Sequence, residues 1–158
     1  MSRAELARRQ AELVAALAGR RPPPEGFDER RVRIAAAALR AKRARAIGRV
    51  WPRLARTPGF EAALERHVAE HPAPPPSGAL ADGRAVARAL AAEGRLPWEA
   101  RLELLGVDLR WRWADDGRRL PRRVAVALAA RRSPPGAVLA VRLPALGERW
   151  LHLLFTNA

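Results

Sequence analysis

The sequence contains no cysteine, and that absence removes disulfides, thiolate zinc sites, iron-sulfur clusters and cysteine nucleophiles together. No stretch approaches about eighteen uninterrupted apolar residues, and the start, MSRAELARRQ, has no apolar core of signal-peptide length. A cytoplasmic protein without a membrane partner is therefore expected. No glycine-rich loop follows a strand-like segment, which excludes a phosphate cradle of the familiar kinds. Ser2, Ser77 and Ser133 occupy caps or turns rather than a nucleophile elbow, and Asp115 and Asp116 fall on a turn that accounts for them. With no constellation behind catalysis, a non-enzyme without a cofactor is expected. Lysine is nearly absent too: Lys42 is the only one.

What is present is mostly arginine, alanine and proline, a bias that a GC-rich coding sequence produces whatever the function. The sign imbalance survives that discount, with Lys+Arg 30 against Asp+Glu 16 and a formal net charge of +14. Such a balance favours nucleic acid, an anionic surface or an acidic protein partner. A length of 158 residues admits one sizeable core or two small ones.

Ser2 and Glu5 have capping-box spacing, and Leu6, Leu13, Val14 and Leu17 fall on one side of the helix they start, with Gly19 as its stop. RRPPPEGF, residues 20–27, reads as a stiff connector. Asp28 then caps a second helix running to about Val50. On it Val32, Leu39, Ile47 and Val50 share one side, and Arg31, Lys42, Arg45 and Arg49 the other. Arg33, Arg40 and Arg43 fall on or beside the apolar side, where a guanidinium must snorkel, pair with a carboxylate or face a partner.

Trp51-Pro52 is a break. Thr57-Pro58 is read as the start of a new helix, with Phe60, Leu64 and Val68 on its buried face and His71-Pro72 as its end. After the prolines at 74–76, Asp82 or Ser77 is read as the cap of a helix closed by Glu93-Gly94, and Pro97 opens another, ended by Gly106. The period then falls to two. Val107, Leu109, Trp111 and Trp113 predict a first strand, Val124, Val126 and Leu128 a second, residues 138–143 a third and residues 149–155 a fourth. The expected fold is α+β: a helical N-terminal two-thirds, residues 1–106, with a small four-stranded antiparallel sheet, residues 107–158, packed on it as one unit.

Three chemistries compete for the remaining features. His67-Val68-Ala69-Glu70-His71 matches the inverted zincin pattern. Pro72 stops the helix at once, however, and only His152 is left to complete a three-histidine site. The plainer alternative has His71 bonding at the helix end and His67 at the surface. Nucleic-acid binding would use the arginine-rich second helix for phosphates and Trp111 and Trp113 for stacking on bases. Protein binding would use a sheet edge, residues 109–113 or 151–155, to accept an extended peptide, with Leu109, Trp111, Trp113, Leu151 and Leu153 as contacts.

Several motifs run in a familiar order: Leu6 to Leu17 with Gln10, Trp51-Pro52, Gly59-Phe60, His71-Pro72, Asp82-Gly83, and Leu96-Pro97 leading to Leu102-Glu103. Over Ala4 to Leu105 the chain resembles bacterial partner proteins of multinuclear non-haem iron-dependent oxidative enzymes, whose uncharacterised N-terminal domain was once labelled DNA-binding. From Val107 on it looks like a separate, actinobacterial-like subtype. The resemblance implies a non-catalytic helical domain that forms a heterodimer with the iron enzyme, and a smaller region that helps present a ribosomally made precursor peptide. It also implies that His71 is structural rather than a zinc ligand. Docking is then expected on Arg33, Arg40 and Arg43, or on the surface from Trp51 through Phe60 to His71. DNA or other nucleic-acid binding through the second helix is the alternative.

Overall fold

The computed structural model describes residues 2–114, 117–132 and 135–154. Five helices come first: α1 (Arg3–Leu17), α2 (Glu29–Val50), α3 (Phe60–Glu70), α4 (Gly78–Ala92) and α5 (Trp98–Arg110), with a 3-10 turn at Leu54–Arg56 between α2 and α3. The strands β1 (Trp111–Trp113), β2 (Arg119–Pro121), β3 (Ala125–Arg132), β4 (Pro135–Leu143) and β5 (Gly147–Leu154) follow.

The caps at the front of the chain are the expected ones. Ser2 accepts the N–H of Glu5 at 3.1 Å and Asp28 that of Arg31 at 3.0 Å, satisfying donors the helices leave open. α2 ends at Trp51, ahead of the ring of Pro52. Two cap assignments differ. Thr57 closes the 3-10 turn and its hydroxyl donates to the Arg53 carbonyl, so α3 starts later, behind Gly59 at φ 83°. Asp82 caps nothing: it lies inside α4, and Ser77 at that helix's start donates to the Gly117 carbonyl instead.

The core lies where the end of α2, the 3-10 turn, α3, α4 and α5 meet. Ile47, Trp51, Leu54, Phe60, Leu64, Val86, Leu90 and Val107 belong to it. Trp51 is fully enclosed, and its indole N–H donates to the Leu80 carbonyl at 3.2 Å. Gly83 is what lets the ring lie there, since a Cβ on it would stand 2.3 Å from Trp51 Cδ1 and Nε1. Glu103 of α5 reaches across to accept the N–H groups of Arg53 and Leu54 at 3.2 and 2.8 Å, capping the 3-10 turn from a distance. α1 packs along the first half of α2 around Ala16, Val32 and Ala36 and contributes nothing to this core.

The strand region departs most from expectation. Gly106 does not end α5, which runs to Arg110, so Val107 and Leu109 are helical and buried. Gly106 packs beside Trp150, which lies 3.5 Å from where its Cβ would be, an ordinary contact distance. Among the described residues there are two sheets rather than one of four strands. β1 pairs with β2, Trp111 opposite Pro121, and β3-β4-β5 form an antiparallel meander with Leu128 opposite Leu139 and Leu139 opposite Leu151. β2 is set by pairing alone; Arg119-Leu120-Pro121 carries no alternation of its own. The expected turns at 115–116 and 133–134, and Phe155, lie outside the described residues.

One face of the meander, with Ala129, Val138 and Ala140, packs against α5. A clamp holds it there: Arg110 of α5 grips Glu148 of β5 with two bonds of 2.6 and 2.8 Å, and Arg142 adds a third at 2.6 Å. Hydrogen bonding from Arg110, against an opposing effect of burial, holds the Glu148 carboxyl below the usual range.

Gly83 and Gly106, both buried on helices, predict different outcomes. Gly83→Ala should cost about 2–3 kcal/mol, because the methyl collides with a fully packed indole. Gly106→Ala should change stability by no more than about 1 kcal/mol, since its methyl meets Trp150 at ordinary contact distance and gains helix propensity. Thermal unfolding followed by circular dichroism checks both.

Candidate functional site

The most constrained polar cluster joins three helices. Arg43 projects from α2 onto Asp82 of α4 with Nε–Oδ2 at 2.5 Å and Nη2–Oδ1 at 2.6 Å. Its remaining nitrogen, Nη1, donates to the His71 carbonyl at 2.8 Å. His67 of α3 completes the set, its Nε2 lying 3.1 Å from Asp82 Oδ1. A carboxylate only accepts, so that imidazole nitrogen is the donor. The Asp82 side chain is 1% exposed. Burial works against its ionisation, but the bonds from Arg43 and His67 outweigh that and hold its carboxyl below the ordinary range.

The same geometry engages both histidines of the zincin motif in other contacts. The His67 and His71 rings stack with centroids 4.8 Å apart rather than converging on a point. His67 is engaged with Asp82, and His71 Nδ1 lies 3.3 Å from the His67 carbonyl. His67 is thus half-buried in a network, not at the surface, whereas His71 bonds at the helix end as expected. His152 sits on β5 opposite Val138. Among the described residues no group of three metal-ligating side chains comes together.

The residues expected to meet a partner separate into two groups. Trp51 and Phe60 are core residues with no surface to offer, and Arg43 is committed to Asp82. Arg33 and Arg40 are accessible, the first paired with Glu29 and the second 3.9 Å from Glu65. His71 is exposed at its helix end. Of the expected apolar stripe on α2, Val32 and Ile47 are covered while Leu39 and Val50 remain about half exposed. On the opposite side, Arg31, Lys42, Arg45 and Arg49 are exposed.

Beside the network, a groove of about 500 Å³ runs between α1, α2, the connector after α3 and α4. Val14, Leu17, Leu39, Val68 and Ala79 line its apolar walls, and Arg40, Lys42, Arg43 and Asp82 supply its polar atoms.

The expected peptide contacts also divide. Leu109 is buried in α5 and belongs to no strand edge, because the helix continues past Gly106. Trp111 and Trp113 are half-buried on the core side of β1, with Arg119 over the first ring at 4.6 Å and Arg84 over the second at 4.9 Å. These arginines occupy the ring faces on which bases would stack. Leu151 and Leu153 lie on β5, an outer strand of the meander, and are exposed.

They belong to the larger surface that sequence reasoning missed. Val126 and Leu128 on β3 are each 67% exposed, and the register sets them in rows with Val141, Leu139 and Leu151 on the sheet face turned away from α5. The alternating large residues mark the open face here, and the small ones, Ala125, Ala127 and Ala129, face the helix. The available signal was the size difference between the alternate positions: alanines leave room for a helix to approach.

Fold and site together describe a helical domain knit by a buried ion pair, with a two-layer α/β appendage whose sheet is uncovered on one side. Residues 7–92 match the family model described as SCO6045-like, C-terminal domain, and the chain belongs to that family. The matched span holds α1's last turns through α4, the whole Arg43–Asp82–His67 network and every residue lining the groove. No curated protein and no solved structure matches the chain.

The network makes stability depend on pH in a defined direction. Asp82 has a lower pKa folded than unfolded, so its contribution is complete above the ordinary value of 3.8 and is lost as pH falls through the folded value. Asp82→Asn should cost about 3–5 kcal/mol at neutral pH, by leaving Arg43 buried without its partner. It should also flatten the acid limb of a stability–pH profile measured by urea unfolding. Metal analysis of the purified chain should find no zinc or iron held by His67 and His71.

Proposed function

We propose that the chain is a non-catalytic partner protein: its helical domain docks on a multinuclear non-haem iron-dependent oxidative enzyme, and its sheet holds part of a ribosomally made peptide. The observation that carries this reading is the open face of β3-β4-β5. Val126, Leu128, Leu151 and Leu153 form a contiguous apolar surface that one helix layer leaves uncovered, and surfaces of this kind mark interaction sites. The outer edge of β5 is beside it, so an extended peptide has both backbone partners and apolar contacts within reach.

On the helical side the reading relies on Arg33 and Arg40 with exposed Ile34 and Leu39, all on α2. Arg43, Trp51 and Phe60 act beneath them by fixing how α2, α3 and α4 pack. The motif order of Sequence analysis supports the choice of an iron enzyme as partner, and membership of the SCO6045-like family is compatible with it.

Co-expression with whichever multinuclear iron oxidase is encoded next to this chain should yield a complex that elutes together. Arg33→Glu with Arg40→Glu should weaken that complex at least about ten-fold, while Leu128→Glu with Leu153→Glu should leave it intact and abolish retention of the precursor peptide. Absence of any complex, with retention of duplex DNA that falls steeply as salt rises, would transfer the function to the basic side of α2.

A further inference from the structure

The groove beside the ion-pair network shares Leu39 and Arg40 with the docking reading, but it also contains Lys42 and the apolar walls of α1 and α3, which that reading does not use. Its walls are apolar. Its one carboxylate, Asp82, is buried and already held by Arg43 and His67. Arg40 stands 3.9 Å from Glu65 in an exposed pair, a separation at which solvent leaves little attraction. Lys42 has no ion-pair or hydrogen-bond partner among the described residues, although it lines the groove. An apolar hollow therefore opens beneath Lys42, which has no internal counter-charge among the described residues, and Arg40, which is only loosely paired.

We propose that this groove binds a small amphipathic carboxylate, with the alkyl chain on Val14, Leu17, Leu39 and Val68 and the carboxylate on Lys42 and Arg40. Concave, largely apolar sites of roughly 300–1,000 Å³ with a few directing polar groups are typical of small-ligand binding, and a volume of about 500 Å³ falls within that range. A two-turn helix, roughly 10 Å across and about 11 Å long, displaces roughly 850 Å³ and would enter with one face only. A neutral or cationic head would leave both cations without a counter-charge over a low-dielectric floor. Burying the chain supplies affinity through apolar area, at about 0.8 kcal/mol per methylene, and the head sets its direction. Val14 and Leu39, each about half exposed, are the surfaces that the alkyl chain would cover.

Because Lys42 is the only lysine, an amine-directed reagent reads the site in the full chain directly. Dodecanoate titrated calorimetrically should bind one to one. Both Lys42→Ala and Leu39→Gln, at exposed positions that folding tolerates, should weaken it roughly ten-fold, the scale of one charge-assisted contact, and Leu128→Gln on the sheet should not. Dodecanoate should also slow acetylation of Lys42 several-fold relative to the α-amino group. Equal affinity for dodecyltrimethylammonium, weakening by Leu128→Gln in place of the groove variants, unslowed acetylation of Lys42, or no binding at all would each overturn the assignment. So would Leu39→Gln disrupting the complex with the iron oxidase while dodecanoate fails to bind, which would give the groove to the protein partner.

Discussion

The bidentate bond between Arg43 and Asp82 is the constraint from which the helical domain is arranged. Both partners are withdrawn from water, so the pair can exist only with full hydrogen bonding. That requirement recruits His67 to one carboxylate oxygen and the His71 carbonyl to the remaining guanidinium nitrogen. Three helices and the end of a connector are thereby fixed relative to one another. The neighbouring residue completes the arrangement, since Gly83 has no Cβ and Trp51 lies flat against its backbone. One dipeptide in α4 thus sets the electrostatic and the steric registration of the whole domain.

A polar core of this kind differs from an apolar one in what it rules out. Leucines packed together tolerate small slides between helices, whereas a fork-on-fork contact tolerates almost none. The 3-10 turn is placed by a similar device, the carboxylate of Glu103 on two backbone N–H groups. The sheet is anchored by another, Glu148 between Arg110 and Arg142. In a chain so rich in arginine, Asp82, Glu103 and Glu148 act as fixing points, each tying its own element to another.

Much of the helical part was legible because its punctuation is local. Ser2, Asp28, Pro52, Pro72 and Gly94 act within a turn of where they stand, and each marks the boundary it suggests. Asp82 was misread as a cap because its role depends on a residue thirty-nine positions away. Arg43 was correctly seen to need a carboxylate, a partner or water, but nothing local says which of these it has. The strand region was misread for a different reason: Val107 and Leu109 alternate like a strand, yet both lie buried in a helix that runs on to Arg110. Strand β3 inverts the usual rule, as its bulky Val126 and Leu128 point away from the covering helix and Ala125, Ala127 and Ala129 point toward it. Of the candidate docking residues, the ones that sequence pattern made most conspicuous, Trp51 and Phe60, are conspicuous because they build the core.

An uncovered apolar sheet is also a colloidal matter. Two copies meeting face to face would bury Leu128, Leu139 and Leu151 against one another, and the attraction acts only at contact. The mutual repulsion of chains carrying +14 each opposes that contact, and it extends about 10 Å at 0.1 M salt and only about 3 Å at 1 M. The excess of arginine therefore works against such pairing at low salt, and the tendency of this face to meet its own copy depends on the electrolyte as much as on the fold.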